Sequence, residues 1–248
     1  MRVLVLAVAC AVAGCASGTG GPAITNAPHG PQPLPSVTHL IAGEQMVWEV
    51  YWRGVLIGNA SLDVDARGAR TKFSTGILAR ALADVRYELT TKLEARVARE
   101  ASELVVMDGT TTRTELQLDG ARYRMTREGT AITDDVPGGT ALHTLHSALG
   151  ALRAWAAPGA TRAYLWLALR GKLYRLDATP PKAETLDGIR TLRVECFVRA
   201  LDPALEQVDI TLWLSTSPDH TPVRIVVETS GERIAAQLTE TTATFATR

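Results

Sequence analysis

The sequence predicts a mainly β fold: a strongly curved antiparallel meander sheet, a half-barrel or open barrel of about ten strands, with one amphipathic helix near 141–155. Three observations predict it. Apolar residues recur with a period of two over most of 45–240, as in strands with one buried face. Turn dipeptides interrupt these runs at short intervals, which suits a meander better than strands linked by crossover helices. Only one stretch, carrying Leu142, Leu145, Leu149 and Leu152, has the three-and-four spacing of a helix with one apolar face.

Taken in order, the first run places Met46, Trp48, Val50 and Trp52 on one face. The next sets Val85, Tyr87, Leu89, Leu93 and Val97 against Arg86, Glu88, Lys92, Glu94 and Arg96. Leu192, Val194, Cys196 and Val198 alternate with Arg193, Glu195 and Arg199; Val208, Ile210, Leu212 and Leu214 follow, then Val223, Ile225 and Val227. Turns are expected at Arg53-Gly54, Asp119-Gly120, Asp187-Gly188, Pro218-Asp219 and Ser230-Gly231. Asp119-Gly120 joins two runs directly and is the strongest hairpin signal. Pro158-Gly159 stops the helix, and a shorter helical turn is expected over 77–83, with Leu78, Ala81 and Leu82 on one face.

Composition narrows the function classes. Charges balance at 26 basic against 26 acidic, with the basic residues dispersed, so no nucleic-acid footprint or polybasic membrane surface is expected. The N-terminus is more specific. Arg2 precedes an apolar run of about a dozen residues, the length of a secretory signal and too short to span a bilayer. It ends Val12-Ala13-Gly14-Cys15, which resembles the lipobox of bacterial lipoproteins. The resemblance implies cleavage after Gly14, diacylation of the Cys15 thiol and acylation of the new amine. Cys10 also follows Val8-Ala9, but its apolar run would be too short. Removing residues 1–14 leaves a mature chain one charge on the acidic side. Ala16 rather than Asp implies, by the enteric rule, the outer membrane, with the domain facing the periplasm. Residues 15–40 then form the lipidated Cys and a Gly/Pro tether spanning roughly 25–30 Å as a random coil, and 41–248 form a single domain. Only Cys196 remains for that domain, so no disulfide framework is expected.

Three stretches together resemble a known family. They are Gly43-Glu44 with Val47-Trp48-Glu49-Val50-Tyr51-Trp52, Gly54 and Ile57-Gly58-Asn59-Ala60; His143 to Pro158-Gly159 with Leu152-Arg153, then Lys172-Leu173-Tyr174; and Leu212-Trp213-Leu214-Ser215 with Pro218-Asp219, Pro222-Val223-Arg224 and Ala236-Gln237-Leu238-Thr239. The pattern is similar to the bacterial envelope family known as domain of unknown function 3108, over about 43–240. Residues 98–140 drift from it. The resemblance implies a β-rich envelope protein and supplies no catalytic residues. Gly54 and Gly58 suit a hairpin and a close backbone approach.

The candidate chemistry is sparse. His143 and His146 lie three apart, with Asp134 and Asp135 upstream, a set that could hold zinc. His143 points away from the leucine stripe and His146 only flanks it, so solvent-facing histidines are expected instead. Asp219-His220 falls in a turn, where Asp serves the backbone. Cys196 sits on an aliphatic face as a buried thiol. Glu49, Glu88 and Glu94 read as a solvated sheet face. No nucleophile elbow or phosphate loop is present in the sequence. Trp166, Phe197 and Trp213 fall opposite the aliphatic set of their strands, where helix or loop packing, or a ligand, would have to cover them. The expected function is a non-catalytic, cofactor-free envelope lipoprotein that binds an envelope lipid, glycan or protein and is held to the membrane through Cys15. The alternatives are an enzyme on envelope polysaccharide, drawing on Asp134, Asp135, Asp219 and Glu49, or a scaffold subunit.

Overall fold

Period-two patterning produces seventeen strands among the residues described by the computed structural model, which are 30–81, 83–201, 207–229 and 231–241. The first half of the chain carries β1 (Gln32–Pro33), β2 (Gln45–Trp52), β3 (Val55–Val64), β4 (Gly68–Thr75), β5 (Val85–Glu94), β6 (Val97–Met107), β7 (Thr110–Asp119), β8 (Arg122–Arg127) and β9 (Thr130–Asp135). The second half carries β10 (Leu142–His143), the helix α1 (Leu145–Trp155), β11 (Ala163–Leu169), β12 (Lys172–Ala178), β13 (Lys182–Leu186), β14 (Ile189–Ala200), β15 (Gln207–Ser215), β16 (Pro222–Thr229) and β17 (Glu232–Thr241).

The count exceeds the expected ten because β1 and β10 are only two residues long and because three hairpin turns fall within stretches that the alternation leaves undivided. Arg53-Gly54, Asp108-Gly109, Glu128-Gly129, Arg170-Gly171 and Asp187-Gly188 are all two-residue connections with positive φ at both positions. That is the conformation of the hairpin turn whose twist matches that of its strands. Asp108-Gly109, Glu128-Gly129 and Arg170-Gly171 add hairpins that the alternation alone does not separate.

One sheet holds all the strands. The second half of the chain forms one side, β11 to β17, and the first half the other, β2 to β9. They join where β17 pairs with β2, Ile234 lying opposite Trp52. Pairing is antiparallel except at one margin, where β1 and β10 both run parallel to β11. The sheet does not close. The free strand β9 is exposed along its whole length and ends in Asp134 and Asp135, charges that discourage further strand addition.

Instead of closing, the sheet rolls over itself. Trp166, Ala168 and Leu173, on the reverse face of β11 and β12, are buried in one cluster with Leu116 and Leu118 of β7 and Tyr123 and Met125 of β8. The concave face encloses α1: Leu145 and Leu149 pack on the cluster built from β2 to β6, while Ala148, Ala151 and Leu152 belong to the cluster built from β11 to β16. The helix begins at Leu145 rather than 141, because Thr144 caps it. The Thr144 hydroxyl accepts from the Ser147 backbone, and the Ser147 hydroxyl accepts from the Thr144 N–H.

Two further expectations change. Residues 32–40 belong to the fold, not to the tether: Leu34 and Leu40 are buried, Thr38 N–H donates to the Arg96 carbonyl, and His39 N–H donates to that of Gly150. The turn near 77–83 is a short 3₁₀ segment, Ala79–Ala81, in which Ala79 is buried; Leu78, just before it, is exposed. Residues 1–29, with the signal, Cys15 and most of the tether, lie outside the described residues, as do Leu82 and Ser230.

Candidate functional site

The interior between α1 and the concave face is not completely filled. A cavity of about 110 Å³ lies there, walled by Leu145, Leu149 and Leu152 of the helix and by Trp48, Leu62, Leu167, Cys196, Leu212 and their neighbours from the sheet. In its wall, His146 is bonded to the Thr71 hydroxyl beside it and to Thr91 behind it, and the Trp48 indole donates to the Pro222 carbonyl. His146 Nε2 is 2.8 Å from the Thr71 hydroxyl, and His146 Nδ1 is 2.9 Å from the Thr91 hydroxyl. Burial pushes the His146 imidazole down to about 3, so it is neutral at physiological pH. A water in an apolar cavity needs two or more polar partners, and here none is spare. The chamber therefore favours hydrocarbon over water.

Polar groups hold α1 in the roll. Arg153 is fully buried and forms two 2.7 Å hydrogen bonds with the Glu44 carboxylate. Its Nε donates to the Asp219 carbonyl, and the Arg153 carbonyl lies 2.7 Å from His220 Nδ1. Gly150 gives the helix its close approach to residues 38–40: a Cβ there would meet Thr38 Cβ at 2.8 Å. At the overlap of the sheet, Glu103 Oε2 accepts from the Arg170 N–H at 2.7 Å, and Arg127 donates to the Arg170 carbonyl. Burial raises the Glu103 carboxyl, an effect that hydrogen bonding to Arg170 and Tyr87 only partly offsets.

The two histidines are not solvent-facing. His143 is 1% and His146 3% exposed. The sheet surrounds α1 on more than its leucine stripe, so the polar flank is buried too. His143 belongs to β10 rather than the helix, and burial pushes it down to about 4. Asp134 and Asp135 stand exposed on β9, Asp219 in the turn beside Arg153, and Glu49 beside the Tyr51 hydroxyl. Glu88 and Glu94 pair with Arg70 and Arg99. Among the described residues, no group of three or more His, Cys, Asp or Glu is arranged to hold a metal. Cys196 is buried in the chamber wall, and burial raises its thiol.

The three aromatics set aside in the sequence do not line the chamber. Trp166 is covered by the overlapping end of the sheet. Trp213 is half-buried; its indole donates to Glu184, and the Arg224 guanidinium lies 5.7 Å from its ring centre. Phe197 is half-buried between Asp177 of β12 and Asp209 of β15. Sequence reasoning missed Glu44, Thr71, Thr91 and Glu103. Glu44 and Arg153 both stand in the family-like stretches, but nothing in either stretch shows that they pair.

Residues 47–239, from Val47 in β2 to Thr239 in β17, match the model of the family described as Protein of unknown function (DUF3108). The chain belongs to that family. No curated protein matches this DUF3108 chain significantly. Among solved structures, it is similar to a β-barrel-like protein of domain of unknown function DUF1849 from Brucella abortus, with a TM-score of 0.58 and 10% identity over 86% of this chain and 98% of that one. That likeness is one of fold. Weaker likenesses are to the lipoprotein LppX of Mycobacterium tuberculosis (TM-score 0.27, 15% identity, covering 81% of this chain and 86% of that) and to LprF of Mycobacterium bovis (TM-score 0.26, 13% identity, covering 82% and 86%). Scores this low do not bear on the argument.

Proposed function

We propose that this DUF3108 chain is an envelope lipoprotein, cut after Gly14 and anchored through acylated Cys15, whose rolled sheet takes the apolar end of an envelope lipid without catalysis. The observation that carries the binding reading is the chamber beneath α1, about 110 Å³, apolar, with His146, Thr71 and the Trp48 indole each hydrogen-bonded within the fold. An engineered apolar cavity of roughly 150 Å³ stays dry and binds benzene, so this space suits a short hydrocarbon segment. A longer tail would need α1 to shift. The Ala16 side of the lipobox supports an outer-membrane anchor with the domain in the periplasm.

The test titrates a fluorescent acyl probe into delipidated protein, alongside an Ala148→Leu variant whose larger side chain enters the chamber from α1. Saturable uptake by the parent that weakens at least tenfold in the variant is expected. Absence of uptake of any acyl probe would overturn the binding reading. Intact mass of the membrane-extracted chain tests the anchor separately: a start at Cys15 with three acyl chains is expected, and an unacylated chain would remove it.

A further inference from the structure

Antiparallel strands place their turns alternately at the two ends of the roll. The C-terminal ends of β2, β4, β6, β11 and β16 share one end. β1 enters at the other, pairing with Ala163 and Tyr164 at the start of β11. Of the eight large apolar side chains exposed among the described residues, Val55, Leu56, Ile77 and Leu78 lie side by side at the first end, and Leu201 lies at that end beside β12. Ile77 and Leu78 are adjacent and 85% and 90% exposed. The Gly76 N–H donates to the Ile57 carbonyl, which fixes the 76–84 loop beside the 53–54 hairpin. Ala79 and Ala83 are buried in the core, whereas Ile77 and Leu78 stand outward. Nothing in the fold uses Ile77 or Leu78, and two such side chains side by side on a projecting turn signal an interaction site.

We propose that this end of the roll is a membrane-contact tip, which seats Ile77 and Leu78, with Val55 and Leu56 beside them, in the interfacial layer of a lipid bilayer. Ile77 and Leu78 stand almost wholly in solvent, and a bilayer receives such side chains without needing a matching hollow. Beneath it lie groups suited to headgroup depth. The Trp52 indole donates to Glu232, and the Arg53 guanidinium stands 5.4 Å from the Trp52 ring centre. Amphipathic rings and long cationic stems suit this depth because their apolar and polar parts lie in different layers. Arg53 pairs with Glu232, Arg80 and Arg86 both face Asp84, and Asp108 accepts from the Asp84 N–H, so charges of both signs share the rim.

The chain outside the structure allows the approach, and this step alone rests on the anchor proposed above. Fourteen residues separate Cys15 from Gly30. Fully extended they reach roughly 50 Å at about 3.3–3.6 Å per residue. A ten-residue strand such as β3 is only about 33 Å long. The tether can therefore pass the length of the roll and let its far end turn onto the anchoring bilayer.

The test labels Leu78→Cys in the full acylated chain with an environment-sensitive fluorophore. Cys196 is buried, and acylation occupies the Cys15 thiol. The protein is reconstituted in phosphatidylcholine–phosphatidylglycerol vesicles, with an Asp119→Cys label at the opposite end as control. The expected result is a blue-shifted emission at position 78, quenched by lipid-borne nitroxides and at least threefold less by aqueous iodide than before reconstitution, with position 119 unchanged. If intact mass shows no acylation, the label is read on added vesicles with Cys15 replaced by Ser, which keeps failure of the anchor separate from failure of the tip. Equal iodide quenching at 78 with and without vesicles would overturn the proposal. So would label burial that depends on protein concentration and not on lipid, which would mark a contact between copies.

Discussion

Arg153 and Glu44 lie 109 positions apart and meet with neither side chain exposed, through two hydrogen bonds of 2.7 Å. The pair ties the last turn of α1 to the segment that leads into β2. Taking both charges out of water is costly, and this geometry offsets the cost only while both partners are present. Glu44→Gln or Arg153→Met alone should therefore cost about 3–5 kcal/mol in urea unfolding. The double change Glu44→Leu with Arg153→Met should recover most of the loss. A double variant as weak as the worse single one would show that the pair contributes more than mutual neutralisation.

His143 and His146 make the fold sensitive to acid. Burial is the main cause of both shifts and holds the rings at about 4 and about 3. Each folded value lies below the unfolded one near 6.5, so the unfolded chain binds protons first as pH falls. Their contribution is complete above about pH 6.5 and is lost as pH falls toward the folded values. By pH 4.5 the loss should be roughly 2–3 kcal/mol for each ring. His146→Gln should flatten the slope of stability against pH between 6.5 and 4.5, whatever it costs at neutral pH. An unchanged slope would mean that His146 does not stay unprotonated in the fold.

Much of this architecture is legible in local pattern. Trp48, Leu89, Val194 and Leu214 alternate as buried strand residues must, and all are buried. What pattern cannot carry is the relation between distant segments. Trp166 reads as a residue in need of a cover; that the cover is β7 and β8, about fifty residues earlier, depends on how far the sheet rolls. Likewise, His146 flanks the leucine stripe on a helical projection. Its burial follows from having sheet on more than one side of α1. The chamber is illegible for the same reason, since its walls come from strands throughout the chain, whereas Gly58 could be read from its place in a strand.

Gly58 shows how a single residue shapes the roll. It sits in β3 opposite Val50, where the β2 register shifts between Val50 and Tyr51. On its other side, a Cβ would fall 2.2 Å from the Ser74 carbonyl oxygen, a backbone atom with no freedom to withdraw. A bulge next to a glycine bends a strand sharply, as a strongly curved sheet requires. Gly58→Ala should destabilise the chain by about 1–3 kcal/mol or more, the range for overpacked interiors. Gly54→Ala, at a turn with open space around it, should cost less and only through its positive φ. Urea midpoints of the two variants in the reverse order would argue against the close approach.

Glu103 reports on the overlap rather than on the chamber. Its carboxylate accepts from the Arg170 N–H across the place where the two ends of the sheet meet. Burial raises its pKa, so the folded chain holds this proton more tightly than the unfolded one does. The sign is opposite to that of the histidines: the contribution is complete below the ordinary Glu range and is lost as pH rises through the folded value. Glu103→Gln keeps an acceptor for Arg170 and removes the ionisation, so it should gain stability relative to the parent as pH rises. Glu103→Ala leaves the Arg170 N–H without its partner and should cost about 1–3 kcal/mol. It should also raise hydrogen exchange at Arg170 more than at Val194, which lies in the core away from the overlap. Equal protection at both amides in Glu103→Ala would mean that the overlap is held by Trp166, Leu116 and Met125 without help from this hydrogen bond.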